Sequence, residues 1–380
     1  MEQVKQFFDE ILANTTPERP LWNKEAAVTS APKWSYIDGC MALAVWKMYE
    51  AEQTDDYLRF LDEFIDFYVE ENGEILGYDK EEHNCDNINE GKVLYPLMEQ
   101  TKKAKYGYAL KKLYEQLLEQ PRTPGGNFWH KEIYPNQIWL DGLYMVQPFY
   151  SQYDQIFNSG VNHADIFQQF QQVYQLMRDP QTGLFYHGVD ESREAFWADA
   201  KTGCSQNFWT RSHGWYAMAL VDTLDYFDPE NQEEYNELIR QFQELLSTLL
   251  KYADEKTGMF YQVTDQGARA GNYLETSGSC AIAYSLMKGA RKGYLPLNYF
   301  ERGAELLESI VHHKLIKTEA GYVLQDICLV AGLGGMPGHG SYKVRDGSYA
   351  YYISEPIVEN DAKGIAPLVF AYAEYIQKKH

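Results

Sequence analysis

The chain is short of several things, and each shortage removes a class of protein. Basic residues are few: 34 Lys and Arg stand against 55 Asp and Glu, a net charge of −21. Such a surface repels nucleic acids and anionic membranes, so neither is expected as a partner. The cysteines, Cys40, Cys85, Cys204, Cys280 and Cys328, are an odd and widely dispersed set without a Cys-x-x-Cys pair. That pattern argues against a disulfide framework or a thiolate zinc site and for reduced thiols in a cytoplasmic protein. No apolar run is long enough to span a bilayer. Residues Met1 to Glu10 lack the basic and apolar regions of a secretion signal.

Familiar site motifs are missing too. There is no Walker loop, no His-Glu-x-x-His and no Gly-x-Ser-x-Gly. In the glycine-rich run Gly332 to Gly338, Pro337 stands where the last glycine of the dinucleotide fingerprint belongs. His312-His313 has no acidic or cysteine partner at ligand spacing. No metal and no cofactor is expected.

Aromatic residues, by contrast, are plentiful: 31 Tyr, 18 Phe and 8 Trp. They suit stacking on sugar rings, and they suit filling a large core equally well.

Hydrophobic periodicity supplies the architecture. One-faced apolar stripes at helical spacing run through Val4–Leu12, Tyr57–Tyr68, Leu110–Leu118, Ile166–Met177, Tyr235–Leu249 and Tyr299–Val311. Between them lie segments that are apolar nearly all round, beginning near Asp38-Gly39, Glu90-Gly91, Asp141-Gly142, His213-Gly214, Ser277-Gly278 and Lys363-Gly364. Successive glycines are 52, 51, 72, 64 and 86 residues apart, a spacing that fits helix hairpins with loops of varying length. Six buried helices inside six amphipathic ones predict an all-α (α/α)6 barrel spanning 1–380 as a single domain. Thr182–Asp190 and Thr257–Asp265 share a turn-plus-extended pattern that predicts short β-hairpins at the rim. The irregular stretch 325–360 predicts a wall or lid over the mouth.

One carboxyl stands out within this plan. Asp141 is surrounded by Ile138, Trp139, Leu140, Leu143, Tyr144 and Met145, company that normally excludes an unpaired acid. It either caps a helix start or sits in a greasy pocket with a raised pKa, ready to deliver a proton. Other polar and aromatic residues gather at the same inner-segment starts. They are His83, Asp86, Asn87 and Asn89 before the second, and His130, Lys131 and Trp139 at the third. His187 lies in the first rim hairpin, with Trp209, Arg211, His213 and Trp215 at the fourth. Each has a plain alternative as a cap or packing group. Arg211 is the hardest to dismiss, because a guanidinium so placed usually meets an anion.

Three motifs together carry a resemblance. Trp139-Leu140-Asp141-Gly142-Leu143-Tyr144-Met145, with Asp86-Asn87-Ile88-Asn89-Glu90-Gly91-Lys92 upstream and Trp209-Thr210-Arg211-Ser212-His213-Gly214-Trp215 downstream, resembles glycoside hydrolase family 105. The tail Tyr352-Ile353-Ser354-Glu355-Pro356 through Asp361-Ala362-Lys363-Gly364 fits as well. These are the unsaturated rhamnogalacturonyl hydrolases, related to the unsaturated glucuronyl hydrolases of family 88. One departure stands out: the family more often has Gly-Asn-Gly-Trp where this chain has Ser212-His213-Gly214-Trp215.

The resemblance implies an (α/α)6 enzyme acting on the 4,5-unsaturated uronic acid that a pectic lyase leaves at a non-reducing end. It implies Asp141 as general acid and base and Asp86 as the second carboxylate. The substrate-binding set is then Tyr36, His130, Lys131, Trp139, His187, Trp209, Arg211, His213 and Trp215. Lys343 and Arg345 in the lid are further cations for the sugar carboxylate. The expected partner is a small unsaturated disaccharide, met by a monomer. The competing expectations are a glucuronyl hydrolase on other lyase products, a sugar epimerase working through paired histidines, an inverting glucosidase, and a non-catalytic sugar-binding module.

Overall fold

The structure is a computed structural model that describes residues 1–25, 31–227, 230, 232–335 and 344–377. Helices alternate along it, outer then inner. They are α1 (Glu2–Ala13), α2 (Tyr36–Glu52), α3 (Asp55–Asp66), a 3-10 segment Cys85–Val93 running into α4 (Leu94–Thr101), and α5 (Ala104–Glu119). Strand β1 (Gln137–Trp139) leads into α6 (Leu140–Tyr153), followed by α7 (His163–Met177), β2 (Gly188–Asp190), α8 (Thr210–Thr223) and α9 (Gln232–Leu249). Then come α10 (Thr276–Arg291), α11 (Asn298–Lys314), β3 (Leu315–Thr318), β4 (Gly321–Leu324), β5 (Ile327–Cys328), α12 (Tyr349–Ser354), β6 (Ile357–Val358) and α13 (Ala362–Gln377).

The inner ring closes on itself: α2 touches the 85–93 segment, which touches α6, then α8, α10, α13 and α2 again. Each outer helix leans on an inner one, α1 on α13, α3 on α2, α5 on α4, α7 on α6, α9 on α8 and α11 on α10. Sequence pattern explains the division. Every residue of α8 is buried, whereas α3 buries one stripe, Tyr57, Leu61, Phe64 and Ile65, and turns its acids outward. The result is the (α/α)6 barrel the periodicity predicts.

Glycine matters where inner helices begin. A Cβ on Gly39 would lie 2.5 Å from the Glu90 Cα, and one on Gly278 would lie 2.9 Å from the Arg211 nitrogen. Side chains there would push the mouth apart.

Two local features differ from expectation. The second inner element begins as 3-10 helix over Cys85–Val93. Its buried Asn89 reaches the Tyr36 carbonyl, and Glu90 accepts from the Ser35 backbone N–H. Tying this run to the neighbouring helix start competes with regular α-helical bonding. The rim segments differ only in part. Thr182 and Thr257 do form matching turns, each giving its backbone N–H and hydroxyl to an aspartate three residues earlier. After the first turn the chain folds back as expected, Phe185 bridging Arg178, and the residues beyond it find distant partners. β2 pairs antiparallel with β1, and Val263 bridges Trp209. A period-2 pattern tells that a strand exists and leaves its partner open.

The stretch expected to form a wall or lid is rooted in a short ribbon of β5 paired with β6, with α12 between them in sequence. Gly334 and Arg345 exchange backbone hydrogen bonds, and Leu333 packs with Trp139 and Trp197.

Candidate active site

The β1–β2 pairing builds the first corner. It puts Trp139 opposite Gly188, and the Leu140 N–H donates to the His187 carbonyl at 3.1 Å. Asp141, one residue into α6, thereby faces the imidazole: its Oδ2 lies 3.2 Å from His187 Nε2. His187 is fully buried, and its Nδ1 pairs with the Tyr352 hydroxyl at 2.8 Å. Burial pushes the Tyr352 phenol well above its usual range, so it stays an O–H donor. Among the described residues no backbone N–H bonds to the Asp141 carboxylate, so this acid does not cap its helix. In the first half of α6 it alone keeps access to solvent, its side chain being 13% exposed.

Asp86 forms the second corner. Asn84 caps the 85–93 segment, which frees the Asp86 carboxylate to accept from Lys131 Nζ at 2.6 Å. Burial would raise its pKa, but the Lys131 ammonium outweighs that and holds Asp86 below the usual carboxylate range. His130 Nε2 lies 3.7 Å away. Burial lowers the His130 pKa to about 4, so at neutral pH this ring is uncharged and Lys131 carries the stabilisation. His130 also joins the corners: it stacks on Trp139 with ring centres 4.4 Å apart, and a Cβ at Gly142 would come within 2.9 Å of its Nδ1. Only glycine after Asp141 leaves room for it.

Arg211 enters from the first turn of α8, buried, with its guanidinium 4.6 Å above the Trp209 ring. Its Nη1 donates to Ser277 Oγ at 3.3 Å and to the Cys328 carbonyl, and its Nη2 donates to the Leu329 carbonyl at 3.4 Å. Nε has no partner among the described residues, and none of their carboxylates lies within ion-pair distance of this cation. Tyr36, at the start of α2, is close enough to Asp86 and Arg211 for both charges to act on its phenol, which burial raises well above its usual range.

The expected binding set thus divides. His130 and Lys131 face Asp86, His187 faces Asp141, and Tyr36 lies within electrostatic reach of both Asp86 and Arg211. Trp139 forms near-parallel rings with His130 and Tyr134 and also holds Leu333 of the lid. Trp209, 1% exposed, underlies Arg211 and His187 and ties its Nε1 to Gln262. Trp215 stacks on Tyr144 below the acids, with the Lys92 ammonium 3.5 Å over the Tyr144 ring. These last two tryptophans are therefore supports rather than open stacking platforms.

His213 departs furthest from its expected part. Its Nε2 accepts from the Phe185 N–H at 3.1 Å and its Nδ1 meets Thr264 Oγ1 at 3.2 Å, inside a fully buried wall. Burial drives its pKa down to about 3, leaving a neutral structural group. In the lid, Arg345 lies beside Trp139, with Nε 3.9 Å from Glu355, and Lys343 falls outside the described residues. Tyr352 and Glu275 went unassigned on sequence. Tyr352 stood in the tail motif, and Glu275 immediately precedes the fifth inner start.

Known proteins resemble this chain along nearly its whole length. The profile described as Glycosyl Hydrolase Family 88 matches residues 9–379. Unsaturated rhamnogalacturonyl hydrolase YesR of Bacillus subtilis (strain 168) is 24% identical over 284 residues, 73% of this chain and 76% of that protein. A solved structure of a Glycoside Hydrolase from Family 105 of C. acetobutylicum ATCC 824 superposes with a TM-score of 0.90 at 41% identity, covering 99% of each chain. The unsaturated glucuronyl hydrolase of Bacillus sp. GL1 shares the fold, with a TM-score of 0.68 at 13% identity over 97% of this chain and 95% of its own. A family-wide profile match and a near-complete structural match at 41% identity lead to one conclusion: this chain belongs to the unsaturated uronyl hydrolases of glycoside hydrolase families 88 and 105.

Proposed function

We propose that this enzyme removes the 4,5-unsaturated galacturonyl residue from the non-reducing end of unsaturated rhamnogalacturonan disaccharides by hydrating its C4=C5 bond, so that the released sugar no longer carries the double bond. The observation that carries the reading is the contrast between its acids: Asp86 is pinned to a lysine, while Asp141 faces a single imidazole. The alkene is a vinyl ether. A proton from Asp141 to C4 leaves a cation at C5 that the ring oxygen stabilises. Water adds at C5 as the aspartate takes its proton, and the hemiketal opens and expels the neighbouring sugar. The anomeric carbon is not attacked, unlike ordinary glycoside hydrolysis.

The corner around Asp141 suits a group that must both give and take a proton. With Tyr352 donating its O–H to His187 Nδ1, the His187 proton sits on Nε2, which lies 3.2 Å from Asp141 Oδ2 without being aligned into a hydrogen bond with it. Among the described residues no hydrogen bond ties up the Asp141 carboxylate, which leaves it to carry the proton in flight. For the substrate carboxylate, Lys131 is already neutralised by Asp86, whereas Arg211 has no carboxylate partner among the described residues. Arg211 therefore takes the uronate, and Tyr36, His130 and Lys131 take hydroxyls. The similarity to the Bacillus subtilis rhamnogalacturonyl hydrolase supports the galacturonyl choice. An epimerase would need histidines facing each other across the hollow. Here His130 and His187 both lean on Trp139, and His213 is spent inside the wall.

Ultraviolet absorbance of the alkene tests the reading. Steady loss on mixing with unsaturated rhamnogalacturonan disaccharide, faster than with an unsaturated glucuronyl disaccharide, is the expected result. Bound ligand with unchanged absorbance would reduce the protein to a binding module.

A further inference from the structure

We propose that Glu275 is a positioning residue for carboxylate recognition, holding the Arg211 guanidinium in place through Ser277 and the backbone of Cys328. The inference rests on Arg211 taking the uronate. Glu275 is fully buried at the start of α10 and takes four hydrogen bonds. Two are ordinary capping bonds, from Ser277 N at 3.0 Å and Gly278 N at 2.7 Å. A serine, threonine or aspartate would make these as well. The other two need the longer side chain. Ser277 Oγ donates to Glu275 Oε1 at 2.6 Å, and the Cys328 N–H donates to the same oxygen at 3.1 Å.

Both extra bonds lead to Arg211. A serine hydroxyl has one proton; once it is given to Glu275, the oxygen can only accept, and Arg211 Nη1 donates to it. Cys328 is gripped from both sides, its N–H by Glu275 and its carbonyl by Arg211. Acid and guanidinium are thus linked indirectly, through one hydroxyl and one peptide unit, with β5 caught between them. Thr276 adds to the same seam, its N–H bonding the Asp326 carbonyl and its hydroxyl the Gln325 carbonyl.

What this leaves free is informative. A guanidinium has five N–H donors. Three are used on Ser277 Oγ, Cys328 O and Leu329 O, which leaves Nε–H and one Nη2–H. Those two lie on one edge and form the fork that meets a carboxylate bidentately. Without Glu275, the Ser277 hydroxyl can turn, Cys328 loses its anchor, and the fork loses its fixed direction.

The test is steady-state kinetics on the unsaturated disaccharide with Glu275→Gln, Ser277→Ala and Arg211→Gln, each beside the wild type. A recognition group that binds ground state and transition state alike raises KM and spares kcat. Glu275→Gln should raise KM about tenfold, the size of one lost charge-assisted contact, and Ser277→Ala should raise it less, with kcat near wild type in both. With the sugar carboxyl methyl-esterified, both variants and the wild type should converge, which a merely structural role would not produce. A wild-type KM in Glu275→Gln and Ser277→Ala, or a fall in kcat alone as folded protein is lost, overturns the inference. If Glu275→Gln fails to fold, Ser277→Ala decides, because it keeps the acid and its backbone caps. Arg211→Gln separates the levels. Raised KM there with unchanged KM in the other two overturns the positioning role alone, while unchanged KM in Arg211→Gln overturns the uronate assignment and this inference with it.

Discussion

Asp86 and Asp141 head neighbouring inner segments and have equally exposed side chains, 13% each, yet their surroundings oppose one another. Asp86 has an ammonium at 2.6 Å and is held ionised, its pKa below the usual range. Asp141 has an imidazole at 3.2 Å whose far nitrogen is fixed by a phenol. Burial alone would have treated the two alike. The partner holds Asp86 as a fixed charge, and the proposed mechanism gives the proton transfer to the acid without such a partner.

The contrast can be broken at either corner. The largest effect belongs to Asp141→Asn, expected to lower kcat by roughly 10²–10⁴-fold, the usual worth of a general acid–base group, with melting temperature near wild type. Full activity would remove Asp141 from the chemistry. Next comes Lys131→Met, which makes Asp86 resemble its neighbour: burial then raises the Asp86 pKa unopposed. The acid limb of the pH–rate profile should move to higher pH, each unit of displacement costing about tenfold on that limb. Stability should follow the same sign. In the wild type the lowered Asp86 pKa adds stability above roughly pH 4, lost as pH falls through the folded-state value, and the variant should lack that contribution. An unmoved limb would show that Lys131 does not set the state of Asp86.

Tyr352→Phe sharpens the Asp141 side by releasing the His187 tautomer. A loss of about three- to tenfold in kcat is expected, equivalent to roughly 1 kcal/mol for one neutral hydrogen bond. His213→Asn should touch neither corner, so activity should change least of all. It should cost about 1–3 kcal/mol of stability by leaving the Phe185 N–H and Thr264 without their partner. The pH dependence has a definite sign. With a folded pKa near 3, neutral His213 favours the fold above its ordinary value of roughly 6.5, and that contribution drains away as pH falls toward 3. Thermal melts between pH 7 and 4 should show a flatter slope for the variant.

The barrel was legible because burial patterns repeat. Helices such as α3 and α8 differ in how many faces are apolar, and that difference is written locally. The Asp141 corner was half legible. The aromatic neighbours of the acid are in its own segment, but His187 arrives through a β1–β2 pairing whose partner choice no local pattern records. Tyr352 reaches the same imidazole across 165 residues of chain. The tryptophans misled for a physical reason: a large ring near a polar cluster reads as a sugar platform, and only coordinates reveal that Trp209 is covered by Arg211 and His187 and Trp215 by Tyr144. His213 misled similarly, since a histidine at an inner-helix start does not announce that both nitrogens are already bonded to the wall.

The most direct trial of the proton-donor assignment is turnover of the unsaturated disaccharide in deuterium oxide, followed by NMR of the released uronic acid. Donation by Asp141 to the alkene predicts one deuterium at C4 on a single face and loss of the double bond in the first product formed, both abolished in Asp141→Asn. Release of a sugar that still carries the C4=C5 bond, with no deuterium at C4, would contradict it.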